Sequence, residues 1–168
     1  MIDAALETKI REQIASGQTP ILEWIAREHG VSTLDIVRLL PSEQCVVIPD
    51  PPIAKILDDL SGWGDLMIIV QTDTIVAEIV SALPPASEGR GYFNFGKGAP
   101  FGGHLRQDAC QHVAFLERGF AGRKSLAIVF YDSDGESIFK VFVHRDKNRA
   151  LLTDQVGRYH ALKRRYSE

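Results

Sequence analysis

The sequence predicts an α+β fold in which helices come first, an antiparallel β-sheet meander follows, and one helix closes the chain. Apolar residues recur every three or four positions before Pro41, which is the period of an amphipathic helix. From Asp65 onward, short runs rich in β-branched and aromatic residues alternate with turn-forming residues, and a helical period returns after Asp146. The 168 residues are enough for one domain with a substantial core. We expect a single domain over 1–168, mainly helical at 1–62, with the sheet at 63–145 and the closing helix at 146–168.

The first helices are predicted from three periodic stretches, MIDAALETKIREQIAS, ILEWIAREH and LDIVRLL. Thr19 is the predicted N-cap of the second helix, with Pro20 at its first position and Gly30 just past its end. Ser32, followed three residues later by Asp35, approximates a capping box for the third helix. A further short helix is predicted in PPIAKILDDL, with prolines at its start and a glycine after its end.

The strands are predicted from the runs DLMIIVQT, TIVAEIVSAL, GYFNFG, GHLRQD, QHVAFLER, SLAIVFYD and SIFKVFVHR. DSDGES between the last two runs predicts a hairpin turn with Asp134 and Gly135 at its tip. The links between consecutive strands are too short for crossover helices, so we expect an antiparallel sheet. The final stretch, DKNRALLTDQVGRYHALKRRY, predicts a helix with Asp146 as its N-cap.

Composition and charge exclude several classes of protein. Hydrophobic residues make up 45% and charged residues 24%, which is ordinary globular usage, and the net charge is −3. A chain-wide electrostatic grip on nucleic acid or anionic lipid is therefore not expected. The start carries acids and no continuous apolar run, and the longest clean apolar run, Leu66 to Val70, is too short to span a bilayer. We expect a soluble, cytoplasmic protein without membrane insertion, in which Cys45 and Cys110 are small buried thiols.

AREHGVSTLDIVRLL has the spacing of a helix-turn-helix, in which small residues let two helices cross closely. A DNA-reading helix needs side chains that reach phosphates and base edges, yet the second helix offers Arg38 as its only cation. The unit as a whole carries two cations against three carboxylates. We therefore interpret it as a packing unit, with a DNA-binding regulator as an alternative. Its apolar stripe predicts four largely buried residues, Trp24, Ile25, Ile36 and Leu39.

The stretch GYFNFGKGAPFGGHLRQD combines aromatic residues, glycines and a histidine. Strand alternation places Tyr92 and Asn94 on one face and Phe93 and Phe95 on the other. The glycines permit close approach of a flat ligand or of a neighbouring strand, so a glycine-rich hairpin over an apolar core stays open as an interpretation. The five histidines are scattered, and neither a zinc-binding spacing nor a nucleophile motif is present.

The ordered combination of GYFN, GGH, IVFYDSDGESIFKVFV and RD resembles the cytosolic heme-utilisation carriers of the HutX/ChuX type. The resemblance covers most of the chain, including LDIVRLLP and WGDLMIIVQTDTIVAEI. Proteins of this type resemble half of the larger heme-trafficking proteins of the HemS/ChuS type and pair as homodimers, with heme in a cleft beside the sheets. The resemblance implies an intracellular carrier that takes heme from an uptake transporter and passes it on, for example to a heme-degrading enzyme. A heme-degrading or flavin-dependent enzyme of a related fold is the alternative.

The resemblance also implies a set of heme-binding residues. Heme needs apolar walls, an axial histidine or tyrosine, and cations near its propionates. The axial ligand is Tyr92 or His104, and Tyr92 ranks first for ferric heme because ferric iron favours a phenolate. The other candidates are the wall rings Phe93, Phe95 and Phe101 and the cations Arg90, Lys97 and Arg106. Where some relatives have a histidine, this chain has Gln71, and amides are poor iron ligands, so coordination by two histidines is not carried over.

Overall fold

The computed structural model describes residues 2–18, 21–72, 74–120 and 122–167, and the described chain has the predicted α+β architecture. The helices are α1 (Ala4–Ser16), α2 (Leu22–His29), α3 (Thr33–Arg38), α4 (Ile53–Ser61) and α5 (Thr153–Ser167). The strands are β1 (Cys45–Pro49), β2 (Asp65–Gln71), β3 (Val76–Ala82), β4 (Ala86–Gly89), β5 (Tyr92–Phe95), β6 (Gly103–Arg106), β7 (His112–Phe120), β8 (Arg123–Tyr131) and β9 (Ser137–Phe142). Every named strand pair is antiparallel, as predicted.

The strands divide into two sheets, which the sequence did not predict. The larger sheet has the order β1-β7-β8-β9-β2-β3, and the smaller sheet has the order β4-β5-β6. Strands β7, β8 and β9 form a meander, whereas the pairing of β9 with β2 joins strands that are far apart in the chain. The edge strand β1 was also not predicted, and it lies in the part of the chain that was expected to be mainly helical.

Both faces of the larger sheet are covered at β8, which explains why this strand carries the continuous apolar run LAIVFY. Leu126, Ile128 and Phe130 enter the main core, which lies between this sheet, the smaller sheet, α4 and α5. Ala127 and Val129 point to the opposite face and pack against α1, α2 and α3. Phe93 and Leu105 of the smaller sheet belong to the same main core, so apolar contacts hold the smaller sheet against the larger one.

Two helix ends, the start of α3 and the end of α2, follow the predicted capping chemistry. Ser32 is the N-cap of α3, and its hydroxyl accepts a hydrogen bond of 3.1 Å from the backbone N–H of Asp35. Gly30 ends α2 in the left-handed conformation, with φ +64°. The predicted cap at Thr19 and Pro20 lies outside the described residues, and α2 begins at Leu22.

The helix pair α2 and α3 packs on the larger sheet as predicted, but one of its four stripe residues was assigned wrongly. Ile25 and Ile36 are fully buried, and Leu39 is half-buried. Trp24 is 55% exposed because the buried stripe of α2 is set by Leu22, Ile25 and Ala26. Trp24 is two residues from the first of these and therefore on the opposite side of the helix.

The prediction that Asp146 caps the closing helix is wrong, since α5 begins at Thr153. The Asp146 carboxylate instead accepts hydrogen bonds from the backbone N–H groups of Asn148, at 2.8 Å, and Ala150, at 3.0 Å. These bonds close a turn between β9 and the helix, and an aspartate forms such turns as readily as it caps a helix. Buried Gln155 then ties α5 to the larger sheet, because its amide nitrogen donates to the carbonyl of Asp65 at 2.7 Å.

Candidate functional site

The smaller sheet carries most of the residues that the sequence predicted for a functional site. Strand β5 pairs with β6 so that Tyr92 lies opposite Arg106 and Asn94 lies opposite His104. Because side chains alternate along a strand, these four residues share one face of the sheet, which we call the polar face. The predicted alternation in GYFNFG is therefore confirmed.

On the polar face, Tyr92 and His104 are close neighbours. Their ring centroids are 6.2 Å apart and the ring planes are inclined at 75°, an edge-on arrangement. Tyr92 is 40% exposed although it is a large aromatic residue, and the His104 ring is also exposed. The face thus presents a phenol and an imidazole to solvent side by side.

The side-chain amide of Asn94 contacts the imidazole of His104. Its side-chain oxygen lies 2.7 Å from Nδ1 of His104, while its amide nitrogen donates to the carbonyls of Ser87, at 3.1 Å, and Gly89, at 3.2 Å. The sequence placed Asn94 on the same face as Tyr92 but gave it no role. Only the register of β5 against β6 shows that it faces His104.

The three predicted cations do not lie together. Arg106 is exposed beside Tyr92, and its hydrogen bond and charge interaction with Asp108, at 2.9 Å, raise the pKa of its guanidinium further. Arg90 lies in the turn that joins β4 to β5, which is the same end of the sheet. Lys97 follows the other end of β5 and is exposed in the loop that leads to β6. Arg90 and Arg106 are therefore grouped, and Lys97 is separated from them by the length of the strand.

The three predicted wall rings lie on the opposite side of the sheet from Tyr92. Phe93 is 6% exposed and belongs to the main core together with Leu105 of β6. Phe95 and Phe101 are half-buried against that core, with ring centroids 5.2 Å apart. They pack the smaller sheet in place, so the structure separates these rings from Tyr92 and His104.

Gln71, at the end of β2, belongs to a different part of the molecule. Its side-chain oxygen accepts a hydrogen bond of 3.2 Å from Lys140, which also pairs with Glu23 of α2. Gln71 also borders a cavity of about 460 Å³ between α2, β2 and β9, which includes Arg27 and Glu136.

Within the described ranges, no group of three or more histidine, cysteine, aspartate or glutamate side chains is arranged to hold a metal ion. The described helices also include none that is long and apolar enough to cross a membrane.

Solved structures that share this architecture include a heme-binding protein and a heme-degrading enzyme. The structure of the heme-binding protein ChuX is 31% identical, has a TM-score of 0.85, and is matched over 95% of this chain and 99% of its own. The heme-degrading enzyme ChuS of Escherichia coli O157:H7 shares the fold with a TM-score of 0.72 at 11% identity. The match covers 96% of this chain but only 49% of ChuS, so this chain corresponds in fold to half of that larger protein.

The sequence comparisons identify the family. Residues 46–162 match the haem utilisation ChuX/HutX family, and the chain belongs to it. The intracellular heme transport protein HutX of Vibrio cholerae serotype O1 is 28% identical over 165 residues, which is 98% of this chain and 86% of that protein. The resemblance inferred from the sequence motifs is thereby confirmed.

Proposed function

We propose that this protein is a cytoplasmic heme carrier, which accepts imported heme and passes it on for iron utilisation. The observation that carries the proposal is the polar face, where Tyr92 and His104 offer two of the side-chain types that ligate heme iron. Relatives named for heme transport and heme binding share the fold over nearly the whole chain. We further propose that residues 1–168 act as one domain, because α1, α2 and α3 share a core with the larger sheet.

The donor set of the polar face fits heme. His104 is exposed, and the adjacent Gly103 has φ +130° with open space where a side chain would begin, so a flat ligand can approach the imidazole. Arg90 and Arg106, at one end of the sheet, supply positive charge of the kind that pairs with propionates. When bound, heme would supply a redox-active iron centre, which Tyr92 or His104 would hold.

The polar face covers only one side of a porphyrin, since Phe93, Phe95 and Phe101 lie behind the sheet. We propose that a second copy of the chain covers the other side, in a homodimer. An exposed apolar patch supports this pairing: Ile75, Val76 and Val80, at or just before the edge strand β3, are 61%, 54% and 45% exposed. We call these three residues the β3 patch. An uptake transporter and a heme-degrading enzyme are the proposed donor and acceptor of the cargo.

A hemin titration followed by absorption spectroscopy tests the carrier function. We expect a shifted Soret band that saturates at one heme per chain. Tyr92→Phe should weaken binding of ferric heme at least about tenfold, and His104→Ala should do the same for ferrous heme, because phenolate prefers ferric iron. Tyr166→Phe and His29→Ala, outside the polar face, are the matched controls.

Three outcomes would contradict parts of this proposal. A wild-type protein that leaves the Soret band of free hemin unchanged is not a heme carrier. If heme binds but neither Tyr92→Phe nor His104→Ala changes its spectrum, the site lies elsewhere, and His112 of β7 is the next histidine to replace. Loss of the bound heme on addition of a reductant would instead favour the heme-degrading enzyme.

A further inference from the structure

The orientation of the Asn94 amide is determined by its surroundings. Its Nδ2 atom lies within hydrogen-bond distance of the carbonyl oxygens of Ser87, at 3.1 Å, Gly89, at 3.2 Å, and Tyr92, at 3.4 Å. Carbonyl oxygens only accept hydrogen bonds, so the atom that faces them must be the NH₂ group. The amide oxygen of Asn94 therefore points away from these carbonyls and toward His104.

This orientation fixes the tautomer of His104. The amide oxygen of Asn94 lies 2.7 Å from Nδ1 of His104, and because that oxygen can only accept, Nδ1 must carry the hydrogen. In the neutral ring the lone pair then resides on Nε2. The exposed ring directs this lone pair away from Asn94, and no described residue forms a hydrogen bond with Nε2.

We propose that Asn94 is a positioning residue that locks His104 in the Nδ1–H tautomer and so presents Nε2 as the ligand for heme iron. The identity of that ligand rests on the proposed carrier function, whereas the tautomer rests on the hydrogen bonds alone. Histidines that bind metals generally donate their other ring N–H to an acceptor, which fixes the ring and raises its basicity. An amide oxygen is a weaker acceptor than a carboxylate, so it orients the ring without adding a negative charge. That suits a protein that must release its cargo.

The tautomer is measurable in the heme-free protein by long-range ¹H–¹⁵N NMR of ¹⁵N-histidine-labelled samples at about pH 8. His104→Gln assigns the signal among the five histidines. We expect a protonated Nδ1 in the wild type. In Asn94→Ala, we expect a shift toward the Nε2–H form, which imidazoles favour in water. In Asn94→Asp, which keeps an acceptor oxygen, Nδ1 should stay protonated.

These variants separate positioning from a structural role of Asn94 in the β4–β5 hairpin. Both variants lose the bonds from Nδ2 to the strand carbonyls, so both are expected to lower the melting temperature. Only Asn94→Ala should change the tautomer. Asn148→Ala, at the other asparagine of the chain, is the matched control and should leave His104 unchanged. A wild-type His104 protonated at Nε2, or an unchanged tautomer in Asn94→Ala, would overturn the proposal.

Ferrous heme binding tests the ligand half of the inference. We expect Asn94→Ala to weaken binding by about 10–100-fold, the usual effect of removing a group that supports a metal ligand, and Asn94→Asp to weaken it less. If the wild type binds no heme, the carrier function fails while the NMR result still decides the role of Asn94. If the wild type binds heme and His104→Ala binds ferrous heme as tightly, Nε2 is not the ligand and that half of the inference is wrong.

Discussion

At the scale of single residues, the half-buried carboxylate of Glu117 on β7 links strand β8 and helix α5 to its own strand. It lies 2.8 Å from Nζ of Lys163, 3.3 Å from Nζ of Lys124 and 3.6 Å from Nδ1 of His160. Burial alone would raise the pKa of Glu117, but the hydrogen bonds from Lys163 and Lys124 and the charge of Lys163 outweigh it and lower the pKa below the usual value. The ionised form is therefore the one that stabilises the fold.

This arrangement predicts a pH-dependent contribution to stability. A carboxylate with a lowered pKa in the folded state stabilises the protein above its unfolded pKa of roughly 4.3, and this contribution is lost as the pH falls through the folded pKa. Glu117→Gln should reduce the free energy of unfolding by about 1–2 kcal/mol near neutral pH and have little effect in strong acid. Urea unfolding at several pH values measures the loss of stability near neutral pH and in acid, with exposed Glu12→Gln as the control. An equal loss at every pH would contradict the prediction.

Strand alternation explains how much of the site could be predicted at this scale. The alternation in GYFNFG is a local property, so Tyr92 and Asn94 could be assigned to one face from the sequence. The contact of Asn94 with His104 could not, because it depends on the register between two strands joined by a glycine-rich loop. The burial of Phe93 depends on what covers the back of the sheet, which the strand itself does not encode.

At the scale of elements, the β8–β9 turn is the point where the hairpin meets the start of α3. Gly135 at its tip has φ +79°, and its carbonyl accepts a hydrogen bond of 2.9 Å from the backbone N–H of Leu34. A Cβ atom at this glycine would lie 2.6 Å from the hydroxyl oxygen of Ser32 and 2.9 Å from its Cβ. Only glycine fits both the conformation and the space.

Gly135→Ala should therefore destabilise the protein by about 2–4 kcal/mol, since backbone strain and the clash with Ser32 add. The matched control is Gly122→Ala in the β7–β8 turn, where φ is +75° but no atom lies within 4 Å of the added carbon. Gly122→Ala introduces the backbone strain without a clash, so it should lower the free energy of unfolding by about 1 kcal/mol. Urea unfolding of the two variants gives the difference, and equal losses would show that the contact with Ser32 contributes nothing.

Most helices and strands were predictable because their periods are local, and the errors occurred where tertiary contacts decide. The five-residue strand β1 has a partner in β7, far along the chain, and CVVIP alone does not distinguish a strand from a loop. Asp146 has the side chain of an N-cap but closes a turn instead. The pairing of β9 with β2 cannot be predicted from the sequence of either strand, because it depends on how the β8–β9 hairpin meets the β2–β3 hairpin.

At the scale of the whole molecule, the helices α1, α2 and α3 cover the middle of one face of the larger sheet but leave its β3 edge open. Val76 and Val80 lie on one face of β3, because residues four apart in a strand point the same way. Strand β3 is paired with β2 on one side, and its other side is an edge of the sheet. Apolar residues at an open edge need a partner or they promote unspecific association.

We expect the β3 patch to be covered in the proposed homodimer. Light scattering at tens of micromolar, roughly above the dissociation constants of stable dimers, should give twice the mass of one chain. Replacing both valines, Val76→Glu with Val80→Glu, should give a folded monomer, because two like charges would face two others across a two-fold interface. Ala54→Glu, on the exposed side of α4, is the control and should stay dimeric. A dimer that tolerates both charges would place the interface elsewhere.

The two cysteines, Cys110 buried and Cys45 half-buried, have a practical consequence for anyone who handles the protein. Burial raises the pKa of Cys45 to about 11 and that of Cys110 to about 12, and these are the only cysteines in the chain. Only a thiolate reacts readily with alkylating reagents or oxygen, so both stay inert at neutral pH. The native protein should thus keep its mass in maleimide and need no reductant in storage. A cysteine introduced at exposed Ser133 should then be the single attachment point for a fluorescent dye, which intact-mass spectrometry would show as one adduct.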